Sequence, residues 1–127
     1  MRKILFAVLF IFIASTFAFA ETSIKRIAIA KNIKNKEPIG VSETFFNPDK
    51  LYCFTEVKTD NYPTKIVHIW LYNDNIIAEV PLDVKSSLWR TFSSKTIYRN
   101  WKGDWKVEVY SEEGKLIDSI SFKITDK

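Results

Sequence analysis

A chain of 127 residues, 46% hydrophobic and 27% charged, has the material for one small domain with its own apolar core rather than for a disordered tail. Its net charge of +4 falls to about +2 once residues 1–20, with Arg2 and Lys3, are set aside, and Lys and Glu are interspersed along the rest, which excludes the basic stripe that nucleic-acid binding needs. One Cys and one His exclude an internal disulfide and any zinc site built from several Cys or His.

The chain opens on Met1-Arg2-Lys3, continues through an apolar run broken only by Ser15 and Thr16, and reaches Ala18-Phe19-Ala20 before the polar Glu21. A charged start, an apolar middle and an A-x-A end predict a signal peptide over residues 1–20. The run is shorter than the roughly 20 apolar residues of a membrane anchor. The expected mature protein, residues 21–127, is exported to the periplasm or beyond, with no membrane span after cleavage; no cofactor is expected.

From there on, period-two alternation separated by turn signals predicts strands at 24–33, 42–46, 51–58, 65–72, 76–84, 89–97, 105–111 and 116–124. The basic stretch Lys31 to Lys36 is read as a solvated turn. In "LYCFTEV", Cys53 shares a face with Leu51 and Val57 and is expected to be buried and inert. "KIVHIWLY" has two apolar faces, so Tyr52, Phe54, His68, Trp70 and Tyr72 are expected to form a cross-strand cluster, either a covered aromatic mini-core or an open platform. In "IIAEVPLDV" the residues Ile76, Ala78, Val80, Leu82 and Val84 point to the core, and Pro81 marks an edge strand. The last hairpin sets Trp105, Val107 and Val109 against Leu116, Ile120 and Phe122. Short strands at this spacing predict an all-β, antiparallel immunoglobulin-like β-sandwich of seven to eight strands.

The most decorated stretch is "LWRTFSSKTI". Trp89, Thr91, Ser93 and Lys95 share one face, and Leu88, Arg90, Phe92 and Ser94 the other. Aromatic plates beside Arg, Lys and hydroxyl donors suit a sugar, a peptide or an anionic polymer. In the competing structural reading, Trp89 and Phe92 fill the two sides of the sheet, Arg90 pairs with a carboxylate, and Ser93-Ser94 marks a bulge or a sheet-switching bend. Trp101, in the loop "YRNWKGDW", is the aromatic expected to be exposed for a functional reason.

The order of "LYCFTEV", "IVHIWLYN", "LDVKSSLWRTFSSKTI" and "KGDWKVEVYSEEGKLIDSISFKI" resembles the bacterial family known as domain of unknown function 2914. The resemblance covers residues 51–124 and is carried by His68-x-Trp70, by Trp89-Arg90 with Ser93-Ser94-Lys95, and by Gly103-x-Trp105 followed by Gly114. Where the family commonly has a Gly after the His-x-Trp strand, this chain has Asn73-Asp74-Asn75, residues that tolerate left-handed backbone. The resemblance implies an exported or envelope-associated β-rich domain and supplies no catalytic residue.

For hydrolysis the inventory is Ser93 or Ser94, His68 and one of Asp83 or Asp104, without a nucleophile-elbow motif. Gly-rich phosphate loops and calcium-loop spacing are missing. The reading that emerges is a non-catalytic binding or interaction module of the cell envelope, with candidate binding residues His68, Trp70, Trp89, Arg90, Ser93, Ser94, Lys95 and Trp101. Its partner would be an envelope protein or polysaccharide. A minor serine hydrolase and a structural subunit pairing through an edge strand are the alternatives.

Overall fold

The computed structural model describes residues 21–126, so the signal peptide expected over residues 1–20 lies outside the described residues. The strands, in chain order, are β1 (Thr22–Lys34), β2 (Glu37–Val41), β3 (Thr44–Phe46), β4 (Lys50–Thr59), β5 (Thr64–Tyr72), β6 (Asn75–Val84), β7 (Leu88–Thr96), β8 (Gly103–Ser111) and β9 (Leu116–Thr125). They make a four-stranded sheet, β2-β1-β4-β7, and a five-stranded sheet, β3-β9-β8-β5-β6. The pairings are antiparallel except for the short parallel β3–β9 contact.

Alternation sets what lies between the sheets. Leu51, Cys53 and Val57 of β4 are buried on one side, against Ile66 and Trp70 of β5 and Val107 and Val109 of β8 on the other. Burying a large apolar side chain of this kind contributes about 2 kcal/mol, and the pairing of two such faces is what a domain without a disulfide relies on.

Several expectations change at irregularities in the ladders. Tyr52 and Phe54 do not meet His68 and Trp70: the first pair lies on the outer face of β4 in one sheet, while the second projects inward from β5 in the other. In β6, a register shift opposite Trp70 and Leu71 leaves Ile76 exposed and puts Ile77 against the core instead. A second shift, between Val109 and Tyr110, sets Leu116 opposite Tyr110 and lets Ile117 take the apolar position. The ladder between β4 and β7 runs without interruption through Ser93 and Ser94, so the bulge expected there is absent.

The stretch Lys31 to Lys36 is mostly strand. Lys34 pairs with Glu37 around a two-residue turn, Asn35-Lys36, in which both residues have positive φ (54° and 61°), as a type I′ turn requires. This hairpin bends back over the outer face of its sheet, because Glu37 at its tip reaches Arg26 of β1 and Arg90 of β7. Asn73-Asp74, joining β5 to β6, is a second turn of the same kind, with φ of 49° and 67°.

Candidate functional site

The candidate residues separate into three places. The first is a polar seam inside the sandwich. Ser93 Oγ lies 2.6 Å from His68 Nδ1 and 3.0 Å from Trp70 Nε1, and Thr55 Oγ1 lies 3.2 Å from His68 Nε2 and 3.1 Å from the Thr91 carbonyl oxygen. Donor and acceptor rules fix the protons. The Thr91 carbonyl can only accept, so the single Thr55 hydroxyl proton goes to it and the Thr55 oxygen accepts from His68 Nε2–H. His68 Nδ1 then accepts from Ser93 Oγ–H, and the Ser93 oxygen accepts from the Trp70 indole N–H. The chain therefore runs from Trp70 through Ser93, His68 and Thr55 to Thr91, with every member satisfied and neutral.

A Ser–His distance of 2.6 Å is that of a nucleophile and its base, but the surroundings differ from those of a hydrolase. His68 has no exposed surface and Ser93 only 5%. Burial pushes the imidazole down to about 4, away from the range of a base working near neutrality. Neither expected orienting carboxylate reaches it: Asp83 pairs with Lys65 at 2.6 Å, and Asp104 with Lys123 at 3.1 Å. The group on the second imidazole nitrogen is Thr55, which sequence reasoning missed. Its signal was there, since a Thr between Cys53 and Val57 on the inward face of β4 is a polar side chain at a core position.

The second place is the outer face of the four-stranded sheet. Arg26, Glu56 and Arg90 are neighbours across β1, β4 and β7. Glu37 sits over them, held bidentately by Arg26 (2.9 and 2.8 Å) and at 2.7 Å by Arg90 Nη1, while Arg26 Nε bonds Glu56 at 2.8 Å. The two guanidinium groups hold the Glu37 carboxyl down at about 2. Beside this network Arg26 lies 4.8 Å over the ring of Phe54. Ser94 is exposed on the same face, and Trp89, on the opposite one, is half-buried against Val57 and Val84 with Lys36 Nζ 5.9 Å from its ring.

The third place is the end of the sandwich capped by the β7–β8 loop. Trp101 is not free, as expected of it, but half-buried: stacked on Tyr72 at 5.9 Å, against Trp105 at 5.7 Å, and edge-on to Tyr98 at 4.8 Å. Lys95 Nζ stands 5.4 Å from the Trp101 ring. Tyr98 is 57% exposed, and with Arg99 it rims a cavity of about 400 Å³ lined also by Asn47, Asp49 and Lys102. A larger open groove of about 580 Å³ lies between Glu43, Asp74, Trp105 and Lys123. Among the described residues no group of three or more His, Cys, Asp and Glu side chains is placed to hold a metal ion, and no helix is long and apolar enough to cross a membrane.

Two packed sheets with a Trp-centred core define an immunoglobulin-like β-sandwich, and solved structures share it. An immunoglobulin-like protein from Pseudomonas aeruginosa superposes with a TM-score of 0.54 at 14% identity, over 85% of this chain and 99% of the other. The alkylpurine DNA glycosylase AlkC of Pseudomonas fluorescens gives 0.52 at 12% identity, and a β-glucosidase from Listeria innocua 0.50 at 8%. There the likeness covers 86% and 84% of this chain but only 32% and 16% of those enzymes, and at such identities it concerns the fold alone. No curated protein matches the sequence. Residues 63–124 match the family described as a protein of unknown function (DUF2914), which supports the resemblance read from the sequence. The match takes in His68-x-Trp70, the Trp89 to Lys95 stretch and Gly103-x-Trp105, while β1 to β4 precede it.

Proposed function

We propose that the protein is an exported, non-catalytic binding module of the bacterial cell envelope, and that it meets an envelope polysaccharide with the end of the sandwich around Tyr98, Arg99, Trp101 and Lys95. The carrying observation is the accessible Tyr98 ring beside Arg99 at the mouth of a cavity of about 400 Å³, backed by the packed rings of Tyr72, Trp101 and Trp105. A sugar ring needs an apolar plate and charged donors for its hydroxyls, and this end supplies both. Packing of Tyr98 on Trp101 holds the plate in place, which lowers the entropic cost of binding.

Hydrolysis through Ser93 finds no support in the geometry, because attack would require a substrate carbonyl between the sheets and would break the bond from Trp70. Export rests on the signal-peptide pattern of residues 1–20. The test is tryptophan fluorescence titration with soluble glycan fragments of bacterial sacculi. Tyr98→Ala and Arg99→Ala should each weaken binding about tenfold or more with unchanged melting curves; wild-type affinity in both would refute this site.

A further inference from the structure

The decorated strand β7 is also an edge of its sheet, paired with β4 on one side and, among the described residues, with no strand on the other. Its ladder parity is fixed by three bonds. The Ser87 carbonyl accepts from Thr59 N–H, the Thr91 carbonyl accepts from Thr55 Oγ1, and Ile97 N–H donates to the Asp49 carbonyl, so odd-numbered residues direct their backbone groups toward β4. Because backbone groups alternate along an antiparallel strand, Leu88, Arg90, Phe92, Ser94 and Thr96 direct theirs to the open side.

The remaining edges are blunted. β6 carries Pro81, which has no donor; β2 is five residues long, with Pro38 and a Gly40 at φ 74°; and β3 has three residues. β7 runs for nine residues with no proline, and beside its open side it exposes Leu88 (53%) and Phe92 (41%). Long unprotected edges of this kind are templates for an added strand.

Charge selects the occupant. From Lys85 to Lys102 the chain carries Lys85, Arg90, Lys95, Arg99 and Lys102 and no Asp or Glu. Among the described residues, Arg90 bonds Glu37 and the Lys36 carbonyl through Nη1, which leaves the rest of its guanidinium for another acceptor. A second copy of β7 would bring like charges together across the new ladder, which is destabilising, whereas an acidic strand would be complementary.

We propose that β7 is a strand-addition site for an extended acidic segment of another protein, one whose apolar side chains alternate with Asp or Glu. Main-chain bonds to Arg90, Phe92 and Ser94 supply the pairing, Leu88 and Phe92 pack beside the apolar side chains, and the flanking bases receive the carboxylates. The strand edge and the aromatic end share Lys95 and Arg99, but the amides of Arg90, Phe92 and Ser94 report only on the first and Tyr98 only on the second, so either can fail without the other.

Residue-resolved amide exchange, measured with a synthetic peptide of alternating valine and glutamate, tests the assignment. The amides of Arg90, Phe92 and Ser94 should slow about tenfold or more, and the protection should weaken with salt. A valine–lysine peptide should give none. Ser94→Pro, which removes a donor on the open side only, should abolish the protection, and Lys85→Glu, outside every ladder, should weaken it regardless of how the proline affects folding. Protection that maps to β2, β3 or β6, equal protection by the lysine peptide, or none at all would overturn the assignment. Concentration-dependent protection of the same amides without peptide would replace the acidic partner by a second copy of the chain.

Discussion

At the scale of single residues, the polar seam is where chemistry and stability part company. Ser93→Ala removes the acceptor of the Trp70 N–H and the donor to His68 Nδ1 at once, leaving two buried polar atoms without partners. The expected cost is about 2 to 4 kcal/mol in chemical denaturation, far above that of an ordinary surface serine. His68 adds a pH dependence whose sign follows from its depressed pKa. Between about 6.5 and about 4 the unfolded chain binds a proton that the folded chain refuses, so the stability is fully present above that window and is lost as pH falls through it. The loss should total about 3 kcal/mol. The Glu37 contribution disappears only below its ordinary value of 4.5, so melting measured from near neutrality down to that pH isolates the histidine. Cys53, fully enclosed, has its thiol pushed up by burial and by the negative charge of Asp118. It should resist alkylation in the native state, and Cys53→Ala should cost about 1 kcal/mol.

At the scale of elements, the β1–β2 hairpin explains most of what the sequence concealed. Pro38 and Gly40 read as breakers, and a type I′ turn is usually announced by Asn-Gly, whereas here Lys36 occupies the second left-handed position. A lysine there carries a steric cost of about 1 kcal/mol, so Lys36→Gly should stabilise the protein by about that much, read as a higher denaturation midpoint. Asn73-Asp74 was legible because both residues tolerate that conformation. The shifts at Ile77 and Ile117 were not legible, since a run of adjacent apolar residues does not say which one turns inward. Arg90 was expected to pair with a carboxylate and does, but the partner, Glu37, comes from the tip of an unforeseen hairpin and is held by Arg26 as well. Arg90→Ala should therefore lower the melting temperature modestly, by an amount that high salt suppresses, rather than by the large step a buried pair would give. Amide exchange across the hairpin should rise in the same variant.

At the scale of the whole molecule, the all-β class and most strand faces were readable because the sandwich buries one side of nearly every strand, and burial on one side leaves a period of two. Which strands share a sheet was not readable. Tyr52, Phe54, His68 and Trp70 looked like one row, yet they belong to opposite sheets and opposite faces, because alternation assigns parity without naming the neighbour. For the same reason the serine–histidine pair could be suspected but its enclosure could not. That enclosure is the central feature of the molecule: two sheets closed over a neutral network, with the proposed recognition assigned to the surface. Long-range ¹H–¹⁵N correlation of the imidazole of His68, the only histidine in the chain, tests it most directly. The structure predicts a single neutral tautomer, protonated at Nε2, that persists as the pH is lowered to about 4. Titration near the ordinary histidine value of 6.5 would mean that the pair is open to solvent and charged at mild acid pH, and protonation at Nδ1 would mean that the hydrogen-bond chain runs the other way; either result would contradict the account.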